Sequence, residues 1–329
     1  MTPDMSPLSL SDIQTAALRL HGHATRTPLV SHPDLDARTG GRVFLKAEPL
    51  QRTGSFKFRG AFNRIAQIDP ARRRAGVVAF SSGNHGQAVA AAAKHFGMNA
   101  TVVMPADAPQ IKVALTRSHG ATIVLYDRFG EDRAALADEV IRRDGAILVP
   151  PYDDRDVMAG QGTIGLEIVD EIAEQGLVPD VVLSCCGGGG LVAGIATVMA
   201  ERAPGAAVFA VEPEEFDDTA RSLATGERQH NAPNGTTICD AIVTPTPGKL
   251  TFPINQRLLS GGLTVSDAEV RAAVAYAFRH LKLVVEPGGA VALAAVLAGK
   301  LDLSGKTAVA ILSGGNIDAT LFSTILAET

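Results

Sequence analysis

Lys57 sits between Phe56 and Phe58, directly after the turn-forming Thr53-Gly54-Ser55 and before a helix-like run over 61–68. Ser55 is a fair N-cap, and an ammonium in the first turn of a helix has the wrong sign for the helix dipole. With apolar neighbours, that placement lowers a lysine pKa and makes the neutral, nucleophilic amine accessible, as a Schiff-base lysine requires. Taken alone, the stretch also fits a lysine whose stem merely lies along an apolar surface.

A second candidate is Cys186-Gly187-Gly188-Gly189-Gly190-Leu191, which follows an apolar strand and opens a helix. Four glycines let consecutive N–H groups converge with no Cβ in the way, and the helix N-terminus adds positive potential. The loop therefore suits a phosphate better than a plain βα turn would require. The Lys-Ser/Thr of a P-loop is missing and the spacing is not the dinucleotide fingerprint, which argues against ATP hydrolysis and a nicotinamide cofactor.

Ser81-Ser82-Gly83-Asn84-His85-Gly86-Gln87 sets hydroxyls, an amide and free N–H groups at a helix N-terminus. That set suits a carboxylate, and it also fits an ordinary capped loop. Ser313-Gly314-Gly315-Asn316 ends the last strand, where a serine hydroxyl can bond a ring nitrogen or cap a helix. Glu286-Pro287-Gly288-Gly289-Ala290 places a carboxylate directly before a helix. Glu212, Glu214, Glu215, Asp217 and Asp218 crowd one short loop; such a cluster is usually a solvated acidic surface, although a hard divalent cation needs the same oxygens.

The elements that would position these groups alternate regularly. β-rich runs at 77–80, 100–104, 121–125 and 146–149 are separated by helical runs at 87–96, 111–119 and 132–143, a pattern of βαβ units and a parallel sheet. Strands at 180–184, 207–211 and 307–312, with helices at 190–201, 266–281 and 288–297, repeat the logic. A helix over 11–22 and a strand over 42–48 precede them. The aperiodic stretch 231–249 reads as a long ordered loop near the functional site. The expected fold is α/β, with two doubly wound domains: a large one from 1–70 plus 153–329, and a small one from 71–152. Ligands belong at strand C-termini and in the cleft between the domains.

The 329 residues are 46% hydrophobic and 20% charged, with a net charge of −5 and both signs interspersed. This composition excludes wholesale disorder and leaves no basic footprint for nucleic acid or an anionic membrane. No apolar run reaches the length of a membrane span, and 1–26 has no signal-peptide core. Cys185, Cys186 and Cys239 are too few and too badly spaced for a disulfide framework or a zinc site. A cytoplasmic protein is expected.

Together, Gly54-Ser55-Phe56-Lys57-Phe58-Arg59-Gly60-Ala61, the Ser81 to Gln87 loop, Ala159-Gly160-Gln161-Gly162-Thr163, the tetraglycine, Glu286-Pro287-Gly288 and Ser313-Gly314-Gly315-Asn316 resemble one family. It is the fold-type II (tryptophan synthase β-like) pyridoxal-phosphate enzymes, specifically the threonine/serine dehydratase and serine racemase group. The resemblance runs from Ile13 to Asn316. It implies pyridoxal 5'-phosphate in the cleft, bound covalently to Lys57, with its phosphate on Gly187, Gly188, Gly189, Gly190 and Leu191. Phe56 would stack on the ring, Asn84 would bond its 3'-oxygen, Ser313 would face its nitrogen, and Glu286 would also belong to the cofactor site. Ser81, Ser82, Asn84 and His85 would receive the substrate carboxylate, and Ser82 matches the second acid/base of the racemases.

The same resemblance makes Glu212, the carbonyl of Phe216 and Asp218 ligands of a divalent cation (Mg²⁺, Mn²⁺ or Ca²⁺). It aligns Arg133 with an arginine that reaches the substrate's distal group, and it implies a homodimer. Tyr152 replaces residues that vary in the family. No C-terminal regulatory domain of the isoleucine-inhibited kind is expected, because the chain stops shortly after Asn316. The implied activity is α,β-elimination by a threonine/serine ammonia-lyase, giving 2-oxobutyrate or pyruvate plus ammonia, with Lys57 as the base at Cα. The alternatives are a serine racemase or a threo-3-hydroxyaspartate dehydratase of the same fold, or a non-catalytic amino-acid or cofactor-binding protein.

Overall fold

The structure is a computed structural model that describes residues 8–329 apart from 82, 128, 129 and 233. Among the described residues ten strands occur in chain order: β1 Leu29–Ser31, β2 Arg42–Ala47, β3 Val77–Phe80, β4 Ala100–Pro105, β5 Thr122–Tyr126, β6 Ile147–Leu148, β7 Val181–Cys185, β8 Ala207–Pro213, β9 Gly261–Val265 and β10 Thr307–Leu312. They form a six-stranded sheet ordered β1-β2-β10-β7-β8-β9 and a four-stranded sheet ordered β5-β4-β3-β6. Only the β1–β2 pair is antiparallel.

The fold follows from composition. β7 and β10 are apolar runs buried along their whole length, as strands of a parallel sheet covered by helices on both faces must be. All four strands of the second sheet come from the continuous stretch between residues 77 and 148, so the chain leaves the first sheet once and returns. Among the described residues no helix is long and apolar enough to cross a membrane.

The lysine segment departs from expectation. Its helix is Lys57–Ala66, not 61–68, and Phe56 occupies the N-cap position with no side-chain cap. Ser55 is not the cap. Its backbone is extended and bridges to Gly314, and its hydroxyl is buried without a partner. Pairing with the chain after β10 outweighs capping here. Phe56 N–H donates to the Ser313 carbonyl at 3.1 Å and Gly315 N–H to the Gly54 carbonyl at 2.9 Å, which fixes the lysine loop to the last strand.

Behind it, this helix lies hard against the helix Arg155–Ala173. A Cβ on Gly160 would come within 2.6 Å of Gly60 Cα, so only glycine permits the approach. The buried guanidinium of Arg59 clamps the pair by bonding Glu48 at 2.8 Å and Glu167 at 2.6 Å. The expected helix 266–281 is also divided. Ser266 and Glu269 form a capping box on Asp267–Tyr276, and one π-helical turn, Ala277–Leu281, ends at Lys282 with φ 60°. β9, Gly261–Val265, was not expected, because two glycines at its start hide the strand pattern.

Candidate active site

The elements carrying the motifs converge on one cavity of about 920 Å³, open mouth included. Its wall takes Phe56, Lys57 and Ser313 from one side, Ser81, Asn84 and His85 from the end of β3, and the glycine loop after β7. Strand C-termini and helix N-termini of both sheets therefore meet there, where an α/β fold places ligands.

Lys57 is the first residue of its helix. Its Nζ donates to the Pro151 carbonyl at 2.7 Å and stands 5.0 Å from the centre of the Phe56 ring. Burial pushes its pKa down to about 8, and among the described residues no carboxylate pairs with it. A lysine held in this way is an available nucleophile or base. The wall nearby stays uncharged. Cys185 is buried beside Ser313, and burial raises its thiol to about 11. The sequence reading weighed Cys185 for a disulfide or a zinc site and gave it no place at this wall.

The tetraglycine loop leads into the helix Gly190–Arg202, with Gly189 at φ 89°. A Cβ on Gly188 would fall 2.3 Å from the Tyr152 ring, and one on Gly189 would fall 2.5 Å from Asn255 Nδ2. No side chain fits at either position, and the loop lines the cavity at the start of a helix, a place suited to a phosphate.

In the third loop, Gly83 N–H donates to Ser81 Oγ at 3.0 Å. Ser82, expected as a second acid/base, lies outside the described residues. The His85 ring is buried, with Nε2 2.8 Å from the Val149 carbonyl, and burial with the nearby Lys57 charge lowers its pKa to about 3. The ring is neutral, so it offers a carboxylate no charge; the N–H groups at the start of the helix Asn84–His95 do that better. Asn84 Oδ1 accepts from Asn316 Nδ2 at 2.8 Å, and Asn84 Nδ2 donates to Glu286 Oε1. Glu286 thus lies behind Asn84, fully buried, and pairs with Lys112 Nζ at 3.0 Å. Sequence reasoning missed Lys112 and Asp240 and quoted Asn316 only as the end of a motif, with no role; a lysine in an otherwise ordinary helix over 111–119 carried no signal.

The acidic loop splits by direction. Glu214 and Glu215 are exposed, whereas Glu212 and Asp218 are buried. Glu212 accepts from the N–H groups of Thr219 at 3.0 Å and Ala220 at 2.8 Å. Asp218 accepts from Asn231 through Oδ1, and its Oδ2 is buried with no partner. Burial and then mutual repulsion raise Glu212 to about 8; burial raises Asp218 to about 6. Phe216 lies between them in the chain, its ring buried.

Comparison with known proteins agrees with this geometry. The family model described as pyridoxal-phosphate dependent enzyme matches residues 20–314. The L-threo-3-hydroxyaspartate ammonia-lyase of Pseudomonas sp is 44% identical over 318 residues, covering 97% of this chain and 98% of that protein. The catabolic L-threonine dehydratase of Escherichia coli is 40% identical, covering 97% and 96%. The solved structure of maize serine racemase superposes with a TM-score of 0.91 at 34% identity, covering 98% of each chain. This chain belongs to the pyridoxal-phosphate dependent enzyme family.

Proposed function

We propose that this protein is a pyridoxal-phosphate dependent ammonia-lyase of β-hydroxy-α-amino acids that prefers L-threo-3-hydroxyaspartate to L-threonine and L-serine. Arg133 carries the preference. Its guanidinium stands 5.2 Å from the centre of the Phe80 ring on the cavity wall, and among the described residues no carboxylate pairs with it. A guanidinium with spare donors beside an amino-acid site is matched by a second carboxylate on the substrate.

The residues fit the cofactor. The glycine loop lines the cavity with backbone alone, its Cβ positions closed off by Tyr152, Asn255 and Ile242; Lys57 offers an amine of lowered pKa, and Ser313 and Cys185 form an uncharged wall for a pyridine ring. When bound, pyridoxal phosphate supplies the electron sink that makes the Cα proton removable. Lys57 takes that proton. The N–H groups beginning Asn84–His95, with Ser81, hold the α-carboxylate, and Arg133 holds the distal one. The Cβ–O bond breaks and the β-hydroxyl leaves as water, balancing the proton lost from Cα to Lys57; the released enamine tautomerises to an imine, which one water hydrolyses to an oxo acid and ammonia. Ser82 is the natural second proton donor if a racemase activity accompanies the lyase.

A neutral amine is what captures the cofactor, so loading of cofactor-free enzyme should accelerate about tenfold per pH unit up to about 8 and level off above it. Stopped-flow absorbance measures this; a flat profile between pH 6 and 8 would show that Lys57 is not the capturing group.

We further infer a divalent cation on Glu212, the Phe216 carbonyl and Asp218. The support is the unpartnered Asp218 Oδ2 beside a second buried carboxylate, oxygens that a hard cation satisfies. A second reading, deamination of L-threonine and L-serine, is supported by the apolar Phe80, Ile242 and Val243 on the same wall, which suit a methyl group. One experiment separates these: ammonia release from L-threo-3-hydroxyaspartate, L-threonine, L-serine and the D-isomers, with Mg²⁺ or EDTA. Hydroxyaspartate should be turned over fastest, and EDTA should slow every substrate. Threonine turning over faster would favour the second reading, and indifference to EDTA would remove the cation.

A further inference from the structure

We propose that Lys112 is a positioning residue that latches the second sheet onto the first and, through Glu286, fixes the orientation of Asn84 in the cavity; this rests on the reading of that cavity given above. Lys112 belongs to the helix Gln110–Ser118, which follows β4, whereas Asp240 and Glu286 belong to the part of the chain that carries the first sheet. The Lys112 side chain is only 2% exposed, yet its Nζ reaches Asp240 Oδ2 at 2.8 Å and Glu286 Oε2 at 3.0 Å. Its stem passes over the Ser81 to Gln87 loop so closely that a Cβ on Gly83 would lie 2.3 Å from Lys112 Cδ. Gly83 is therefore the opening through which one half of the protein reaches the other.

From Nζ the polar chain continues without a break. Glu286 Oε1 accepts from Asn84 Nδ2, Asn84 Oδ1 accepts from Asn316 Nδ2 at 2.8 Å, and Asn316 Nδ2 also donates to the Thr53 carbonyl at 2.8 Å. Both ends of the Asn84 amide are thus occupied, and the chain ends on the loop that carries Lys57. Glu286 faces Lys112, Asp240, Cys185 and Cys239, so the ammonium is the only cation compensating it among these groups. Removing one partner of a buried pair strands the other charge, which makes the bridge a two-position element: made in the closed cleft, broken when the halves separate.

The test is amide hydrogen exchange of the substrate-free holoenzyme, with Lys112→Met and Asp240→Asn, alongside ammonia release. Methionine keeps much of the apolar stem that packs over Gly83. For Lys112→Met, exchange should accelerate about tenfold or more in 84–86, 109–116 and 240–243, while 307–312 stays within about twofold. For Asp240→Asn, which leaves the Lys112–Glu286 pair in place, acceleration should be confined to 240–243. Unchanged exchange, or acceleration spread evenly through both sheets, would overturn the latch. If Lys112→Met does not fold, the Asp240→Asn result decides, and unchanged exchange at 240–243 overturns it. Local loosening with no ammonia released by the wild-type enzyme would instead count against the lyase reading and leave the latch standing.

Discussion

Lys57→Ala should abolish ammonia release, by about 10⁴-fold or more, and remove the visible absorbance of covalently bound cofactor. The size of the effect follows from two jobs falling on one atom. Nζ is the available amine on the wall, with its pKa lowered to about 8 and, among the described residues, only the Pro151 carbonyl as a hydrogen-bond acceptor, and in the proposed reaction it is also the base that takes the Cα proton. The helix should survive the change, because Arg59 with Glu48 and Glu167, and the Gly60–Gly160 approach, hold it independently of the lysine. The check is a circular-dichroism melt beside the activity assay. A folded variant that keeps both turnover and absorbance would require another nucleophile.

Arg133→Leu should separate substrates. For hydroxyaspartate, kcat/KM should fall about 10²-fold, the loss expected when a charge-assisted bond to a carboxylate is removed from a partly desolvated site. For threonine the change should stay within about threefold, because its methyl meets the same wall as the new leucine. Steady-state kinetics on both substrates give the ratio. Equal losses would mean that Arg133 merely braces Phe80, and the preference would then fall to threonine and serine.

What could be read in advance was whatever a short stretch of chain determines by itself. Four consecutive glycines announce an absence of Cβ, and that absence is the property the loop uses. Alternating apolar runs announce a parallel sheet, and Lys57 carries its apolar neighbours beside it in the chain. Illegible were the features made by residues far apart. Ser55 looked like a cap until Gly314 took its backbone, and Glu286, which the resemblance alone assigned to the site, showed its partners only once Lys112 and Asn84 were placed against it. The acidic loop shows the same limit. Five carboxylates look alike in sequence, and only the end of β8 and the turn after it decide that Glu212, in the strand, and Asp218 are buried while Glu214 and Glu215 face water.

The sheet order also has a consequence for how the protein is made. β10, which follows every other described strand in the chain, is inserted between β2 and β7, and its continuation at Ser313 and Gly315 is what holds the lysine loop. A nascent chain lacking those residues already has Lys57 and the four glycines, but its larger sheet is split down the middle, with two open strand edges and no rigid lysine loop. The four-stranded sheet, drawn from one continuous stretch, does not depend on β10 and can form first. A rigid lysine loop therefore waits for β10, and until then the unpaired edges of β2 and β7 are the surfaces most exposed to wrong partners.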